Sequence, residues 1–574
     1  MENSQLRKEN PCPPIPAPVE VKETEMITEE AVITTMRRAL SFYSSIQAHD
    51  GHWPAESASP LFFLQPFNED GGWGIHIEGH STMFGSALSC IALRILGEGP
   101  EDGEDGAMAR GRRWILNHGG LVAIPSWGKF WRFVGPITGL IQSLRQELHN
   151  EPYHQINWNK ARNTIAKEDL YYPHPLIQDM LWGFLHHVVE LILSYWPFSM
   201  MREKALKAAI GHVHYEDENS RYLCIGSIEK VNNQCANPNG EAYKLHLGRI
   251  PDNYWVAIDG LKIQSFGCQM WDAGFAIQAI FSCILKEEYW PTLRKAHEFV
   301  KASQVLENPS GDFKAMYHHT SKGAWTFSMQ DHGWQVSDCT AEGLKVAILF
   351  SQMVSEPCWG ENGDSGFMML VAMVASQHGN LKEHMLGWRY IECTSSAVQG
   401  LALFRKFYPR HRKTKIDNSI YMGIQYIEDV QEPDGSWYCH WRICYTYGTW
   451  FAVGALAACG RNYKNCPALR KACEFLLSKQ LSNGGWGESY LSSQGIYATV
   501  SVTPHLNNTQ YCLFFAPPNQ TSQEVTHPGT TLAEVHLTTG YTYKHISISI
   551  PRRCGAPQSP PLRTQLLRRR LSWD

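Results

Sequence analysis

The residues best equipped for chemistry lie in the run Asp331-His332-Gly333-Trp334-Gln335-Val336-Ser337-Asp338-Cys339-Thr340-Ala341-Glu342. Asp338 stands directly ahead of an apolar stretch, with Glu342 following it. Two readings fit that placement. One is a helix N-cap, whose carboxylate satisfies free backbone N–H groups. The other is a proton donor, provided that burial keeps the carboxyl protonated near neutral pH. Other chemistries are excluded by what is missing. There is no phosphate-cradling Gly-x-x-x-x-Gly-Lys-Ser/Thr, no Gly-x-Gly-x-x-Gly after a strand, and no His-Glu-x-x-His. No two aspartates are adjacent, which removes the aspartate-rich diphosphate–Mg²⁺ motif and the Asp-x-Asp-Asp acid. His212-x-His214 has a metal-pair spacing, but the Tyr215-Glu216-Asp217-Glu218 that follows reads as a solvated helix end, and no metal is expected. Paired carboxylates on an α/α barrel would suit a glycosidase, a reading that only the architecture supports.

The elements that must hold such an acid announce themselves through a repeat. An aromatic-aliphatic pair is followed by a glutamine and then by Asp/Asn-Gly-x-Trp. Copies run from Ser41 to Trp53 (Gln47, Gly51), from Tyr426 to Trp437 (Gln431, Gly435) and from Phe475 to Trp486 (Gln480, Gly484). A partial copy ends in Trp73, and a degenerate one runs from Phe299 through Gln304 to Gly311-Asp312-Phe313. The pair would close an amphipathic helix, the glutamine would bond backbone groups at the start of the next, and glycine would permit the tight turn. Trp53, Trp73, Trp437 and Trp486 are therefore read as structural. Helix pairs repeated in this way would close into α/α barrels.

With 574 residues, of which 43% are hydrophobic, the chain accommodates two large cores. A net charge of -4 and the lack of a basic stripe exclude a nucleic-acid partner. The 16 scattered cysteines form no framework, and the polar N-terminus lacks a secretory core, so free thiols in a reducing compartment are expected. No apolar run approaches bilayer-spanning length, which leaves monotopic membrane contact as the expected mode. The domain boundaries read as an extended lead-in at 1–29, an N-terminal barrel at 30–262, a C-terminal barrel carrying the acid at 263–494, and a Thr/Ser/Pro/His-rich tail at 495–574 expected to be disordered.

The segment around Asp338 closely resembles the Asp-Cys-Thr-Ala-Glu signature of oxidosqualene cyclases. Similar blocks are Asp50-Gly51-His52-Trp53-Pro54-Ala55-Glu56, His76 to Phe84, the run 133–230, Gln264 to Asp272, Glu392 to Val398 and Asp434-Gly435-Ser436-Trp437. They cover most of 30–353 and 389–494, and the tryptophan repeat is similar to the family's QW repeat. The resemblance implies an all-α fold of two α/α barrels, with the second incomplete. It implies cyclisation of 2,3-oxidosqualene without metal or organic cofactor, on a membrane surface of the endoplasmic reticulum or lipid droplets and without an obligate protein partner. Asp338 would be the general acid that opens the epoxide, with Cys339 and Cys393 orienting it. Phe327, Trp271 and Trp441 would line the cavity and stabilise cations through their ring faces. Ser328 to Val336 looks closer to amyrin and lupeol synthases than to cycloartenol synthases.

The chain also departs from the family pattern. The product-setting stretch is missing between Trp131 and Arg132, and helices are missing between Leu64 and Asn68. A helix is shortened between Val231 and Pro238. Residues 354–388 do not resemble the repeat, and the resemblance ends at Gln494. Missing barrel helices would expose apolar faces, at a cost on the order of kcal/mol per side chain. A non-catalytic family remnant is therefore the second reading.

Overall fold

A computed structural model of the chain describes residues 14–19, 28–53, 67–74, 79–125, 128–129, 139–161, 164–170, 175–224, 240–257, 260–263, 267–352, 390–439, 444–480 and 486. The Trp131–Arg132 junction, the stretch after Leu64, residues 231–238 and 354–388, the tail 495–574 and Trp441 lie outside the described residues.

The described elements are almost all helical. In chain order they are α1 (Glu29–Ser45), α2 (Met83–Ile95), α3 (Ala107–Asn117), α4 (Gly139–Glu147), α5 (Leu176–Ser194), α6 (Ser199–Asn219) and α7 (Glu241–Gly248). A short antiparallel hairpin follows, with β1 (Tyr254–Ala257) against β2 (Gly260–Ile263). Then come α8 (Gln269–Ser282), α9 (Trp290–Ala302), α10 (Ser337–Ser351), α11 (Ile391–Phe407), α12 (Lys413–Asp429), α13 (Cys444–Ala458) and α14 (Pro467–Ser478). Two compact units result. The first holds α1, the C-terminal part of α6, α7, the hairpin and α8–α14; the second holds α2–α5 and the start of α6.

The first unit sorts its helices by burial. In α8 every residue from Gln269 to Ile277 is buried, and in α10 every residue from Asp338 to Ile348. α11 and α13 are buried nearly as completely. α9 buries only Leu293, Ala296, His297, Phe299 and Val300, and α14 only Leu469, Ala472 and Phe475, the single apolar stripe of an outer helix. Neighbouring inner helices pack as α8–α10, α10–α11 and α11–α13, while α9 lies on α8 and α12 on α11. Rings of α8 and α13 also meet, as Trp271 with Phe451 and Phe275 with Trp450. An inner ring wrapped by amphipathic partners is the α/α-barrel arrangement anticipated above. α1 joins this unit: Leu40 and Tyr43 share its core with Trp271, and Ser41 Oγ lies 2.7 Å from Tyr289 Oη. The described residues 30–53, 210–224, 240–257 and 260–262, assigned by sequence order to the N-terminal barrel, fall in the unit that carries Asp338.

The repeats work as hydrogen-bonded buckles. Gln47 donates to Gly51 O at 2.9 Å and to Thr292 O, in the first turn of α9, at 3.0 Å. Gln431 does the same to Gly435 O and to Ala468 O in α14. The indole N–H groups of Trp53, Trp437 and Trp486 donate back to carbonyls of Tyr43, Ile427 and Leu476. Gly435, at φ +91, has no alternative: a Cβ there would sit 2.4 Å from Lys471 O. The degenerate copy closes elsewhere than its spacing suggested. Gln304 bonds Gly323 O, Trp325 Nε1 bonds Val300 O, and Gln304 bridges to Trp325. Trp325, and not Phe313, is its indole. A loop inserted between glutamine and glycine hid the copy from a fixed-spacing search.

The second unit has its own core around Trp73, Met83, Phe84, Trp114 and Ile115. α5 stands out in it. It is 19 residues long, apolar enough by length and composition to cross a membrane, and exposed along that length. This corrects the expectation that no stretch reaches spanning length. Asp179, Glu190, His186 and His187 break the run as read in sequence, and only the continuous helix, through a π turn at Leu185–Val189, joins the apolar segments.

Candidate active site

Trp325 builds the entry to the acid. Its carbonyl accepts Val336 N–H at 2.9 Å, and its N–H donates to Thr340 Oγ1 at 3.1 Å. The first turn of α10 is thereby clamped to the hidden repeat, and a Cβ on Gly343 would meet the indole at 2.6 Å. Val336 occupies the cap position and Asp338 lies inside the first turn, so the N-cap reading fails.

Asp338 is 6% exposed. Its Oδ1 accepts the Cys339 N–H at 2.8 Å, and its Oδ2 faces Cys393 Sγ, on α11, at 3.7 Å. Burial pushes this carboxyl up to about 6, aided by the negative charge of Glu342 and opposed by the Cys339 N–H and the Cys393 thiol. Burial, reinforced by the charge of Asp338, likewise raises both thiols well above their usual range. They stay as S–H donors beside the acid and not as thiolates.

One turn on, the fully buried Glu342 accepts from Gln278 Nε2 at 2.6 Å, Ser396 Oγ at 2.9 Å and Lys345 Nζ at 2.7 Å. Its negative end thus stays fixed near Asp338. Sequence reasoning saw Glu342 only as part of a motif. Lys345 is its i,i+3 neighbour on α10, whereas Gln278 and Ser396 come from α8 and α11 and carry no local signal.

Aromatic faces gather around Trp271, which is fully buried on α8. The segment 325–328 runs across the start of α8, with Met270 N–H on Ser328 O at 3.0 Å and Trp271 N–H on Phe327 O at 3.4 Å. Phe327 is thereby set 6.0 Å from Trp271, ring over ring. Phe275 packs edge-on to Trp271 at 4.8 Å, and Phe451 stacks at 6.3 Å with Tyr447 at its edge. Phe275, Tyr447 and Phe451 were not singled out in the sequence. Their signal was present as aromatics within nearly all-apolar helices. Of the repeat residues, Trp53, Trp73 and Trp437 are buried and Trp486 is half-buried.

His212 and His214 do not converge. His212 lies against the Tyr317 ring, and the exposed His214 is 3.9 Å from Asp217 Oδ2. A different set meets instead: Asp217, Cys224 and His246, all buried, with donor atoms within 4.8 Å of one another. Residues so distant in sequence gave no motif.

Two family models match. One, the squalene-hopene cyclase C-terminal domain, covers residues 391–517, and the other, the squalene-hopene cyclase N-terminal domain, covers residues 55–134. Alpha-onocerin synthase LCD of Lycopodium clavatum is 34% identical, over 85% of this chain and 78% of that protein. The chain belongs to the oxidosqualene cyclase family. Lanosterol synthase of Homo sapiens is 32% identical over 83% of this cyclase and 79% of its own length. Cycloartenol synthase of Dictyostelium discoideum is 32% identical over 74% of each chain. The C-terminal match runs to residue 517, past Gln494, where the sequence reading had ended the resemblance.

Proposed function

We propose that this chain cyclises (3S)-2,3-oxidosqualene to a pentacyclic triterpene alcohol, without metal or organic cofactor. The observation that carries this reading is the buried Asp338 carboxyl, pushed up to about 6 and faced by the Cys393 thiol. Asp338 delivers its proton to the epoxide oxygen, one C–O bond breaks with its electron pair going to that oxygen, and the oxygen is kept as a hydroxyl while the carbon becomes a cation. The cation moves through successive ring closures, and a proton lost from carbon to solvent ends the sequence; solvent reprotonates Asp338, and the product is an isomer of the substrate. Phe327 and Trp271 offer ring faces that attract a cation without capturing it. The pentacyclic assignment rests on Ser328 to Val336, which looks closer to amyrin and lupeol synthases.

The exposed apolar face of α5 supports monotopic contact with the surface of the endoplasmic reticulum or lipid droplets. Ile177 is 78% exposed, Leu176 75% and Trp182 61%. An apolar substrate would reach the enzyme through that phase.

The test is expression in a host that accumulates oxidosqualene, with triterpene alcohols read by mass spectrometry. A pentacyclic product that disappears in Asp338→Asn supports the reading, and a folded, soluble chain that yields none sinks it. Flotation with phosphatidylcholine vesicles tests the surface: wild type should float, and Ile177→Asp/Leu181→Asp should not.

A further inference from the structure

The run Asp331-His332-Gly333-Trp334 precedes the acid and has no part in the chemistry above. Its contacts are nevertheless specific. Asp331 sits between two arginines, with Oδ1 paired to Arg221 Nη1 and Oδ2 to Arg249 Nη2 at 2.7 Å. Arg249 also donates from Nε to Arg221 O at 3.0 Å and from Nη1 to Asp252 Oδ2 at 3.1 Å, so the two arginines form one clamp. Two residues on, Gly333 at φ +71 lies directly under Asn219 O, and a Cβ there would be 2.2 Å from that oxygen. Asn219 Oδ1 holds Ser310 N–H at 2.8 Å, and Glu216 holds His318, whose ring meets Trp334 edge-on at 4.9 Å.

The clamp stands on a rigid base. The turn after α6 has Arg221, Tyr222 and Cys224 in the left-handed region, which non-glycine residues avoid. It is pinned from inside by buried groups: His246 Nε2 lies 2.9 Å from Asp217 Oδ1, His246 Nδ1 is 3.2 Å from Tyr222 O, and Cys224 Sγ is 3.4 Å from Asp217 Oδ1. From Asp331 the chain has only a short loop before Val336 pairs with Trp325 O and α10 begins at Ser337. The start of α10 is therefore fixed on two sides, by the Trp325 repeat and by the end of α6.

We propose that Asp331, held between Arg221 and Arg249, is a positioning residue for the acid, setting the entry of α10 so that Asp338 stays sealed against Cys393. This rests on the cyclase reading for its kinetic consequence but not for its structural one. The two arginines hold the Asp331 carboxyl below its usual range against the effect of burial, which keeps the clamp ionised while Asp338 titrates.

The experiment compares wild type, Asp331→Ala and Asp331→Glu in three measurements: turnover of oxidosqualene, thermal melting, and infrared titration of the carboxyl band that is lost in Asp338→Asn. In Asp331→Ala the Asp338 titration should fall from about 6 toward the ordinary carboxylate range as water enters. Its kcat should drop on the order of tenfold to a hundredfold, the scale of misplacing a reacting group, with KM nearly unchanged. Asp331→Glu should restore most of both. An unmoved Asp338 titration in folded Asp331→Ala overturns the proposal, as does a kcat loss that tracks the melted fraction alone. If Asp331→Ala does not fold, Arg249→Lys, which keeps charge but loses the fork, is held to the same two criteria. A wild type that makes no triterpene while its Asp338 titration still answers to Asp331 would sink the cyclase reading and leave the clamp standing.

Discussion

Asp338 and Cys393 face each other across two adjacent inner helices, carboxyl Oδ2 to thiol Sγ at 3.7 Å. α10 and α11 pack along each other, so the contact between the two side chains lies between neighbouring inner helices. The acid's protonation is thus a property of the barrel wall.

The first consequence is a pH profile. A general acid with a folded-state value of about 6 is protonated below that pH and is lost above it. The kcat/KM for oxidosqualene should be flat at low pH and fall about tenfold per unit on the alkaline side of about 6. A flat profile through pH 8 would remove Asp338 from the role of acid.

The second concerns stability. Burial raises Asp338 from 3.8 to about 6, so the folded state binds the proton more tightly than the unfolded one. Its contribution is fully present below the lower value, declines as pH rises through the upper one, and stays absent above it. Asp338→Asn removes the penalty. It should abolish product and raise stability above pH 6 by on the order of 3 kcal/mol, with no comparable gain near pH 4. Melting curves of both proteins at the two pH values check this.

The third sets two neighbours of the acid against each other. Cys393 stabilises the carboxylate and Glu342 destabilises it. Cys393→Ala should move the alkaline limb to higher pH and lower kcat through lost orientation. Glu342→Gln should move it to lower pH. Shifts of the same sign in the two variants would mean that packing, and not charge, governs Asp338.

The fourth probes the buckles. Gln431→Leu leaves Gly435 O and Ala468 O without their donor, and the loss should be about 1–3 kcal/mol. Trp437→Phe keeps a ring but forfeits the bond to Ile427 O, and should cost about 1 kcal/mol. Urea titration measures both, and costs near zero would make these residues ordinary core.

Much of this was legible in the chain itself. Asp338, Cys339 and Cys393 lie in runs whose residue order is specific to one family, and the three well-spaced repeats named Gln47, Gln431, Trp53 and Trp437 in advance. These are local facts: a glutamine, a glycine and a tryptophan a few residues apart must meet wherever the chain turns. What the order of residues left open was everything that depends on distant segments meeting. The Trp325 buckle was hidden because its loop is longer, and loop length alters spacing without altering the contact. α5 was missed because polar residues interrupt its run while the helix does not break. The assignment of α1 to the acid's unit, the Asp217–Cys224–His246 cluster and the Asp331 clamp each join residues of separate segments that share no motif spacing. Only tertiary packing brings such groups within hydrogen-bonding range, and only the burial that packing creates raises the Asp338 carboxyl to about 6.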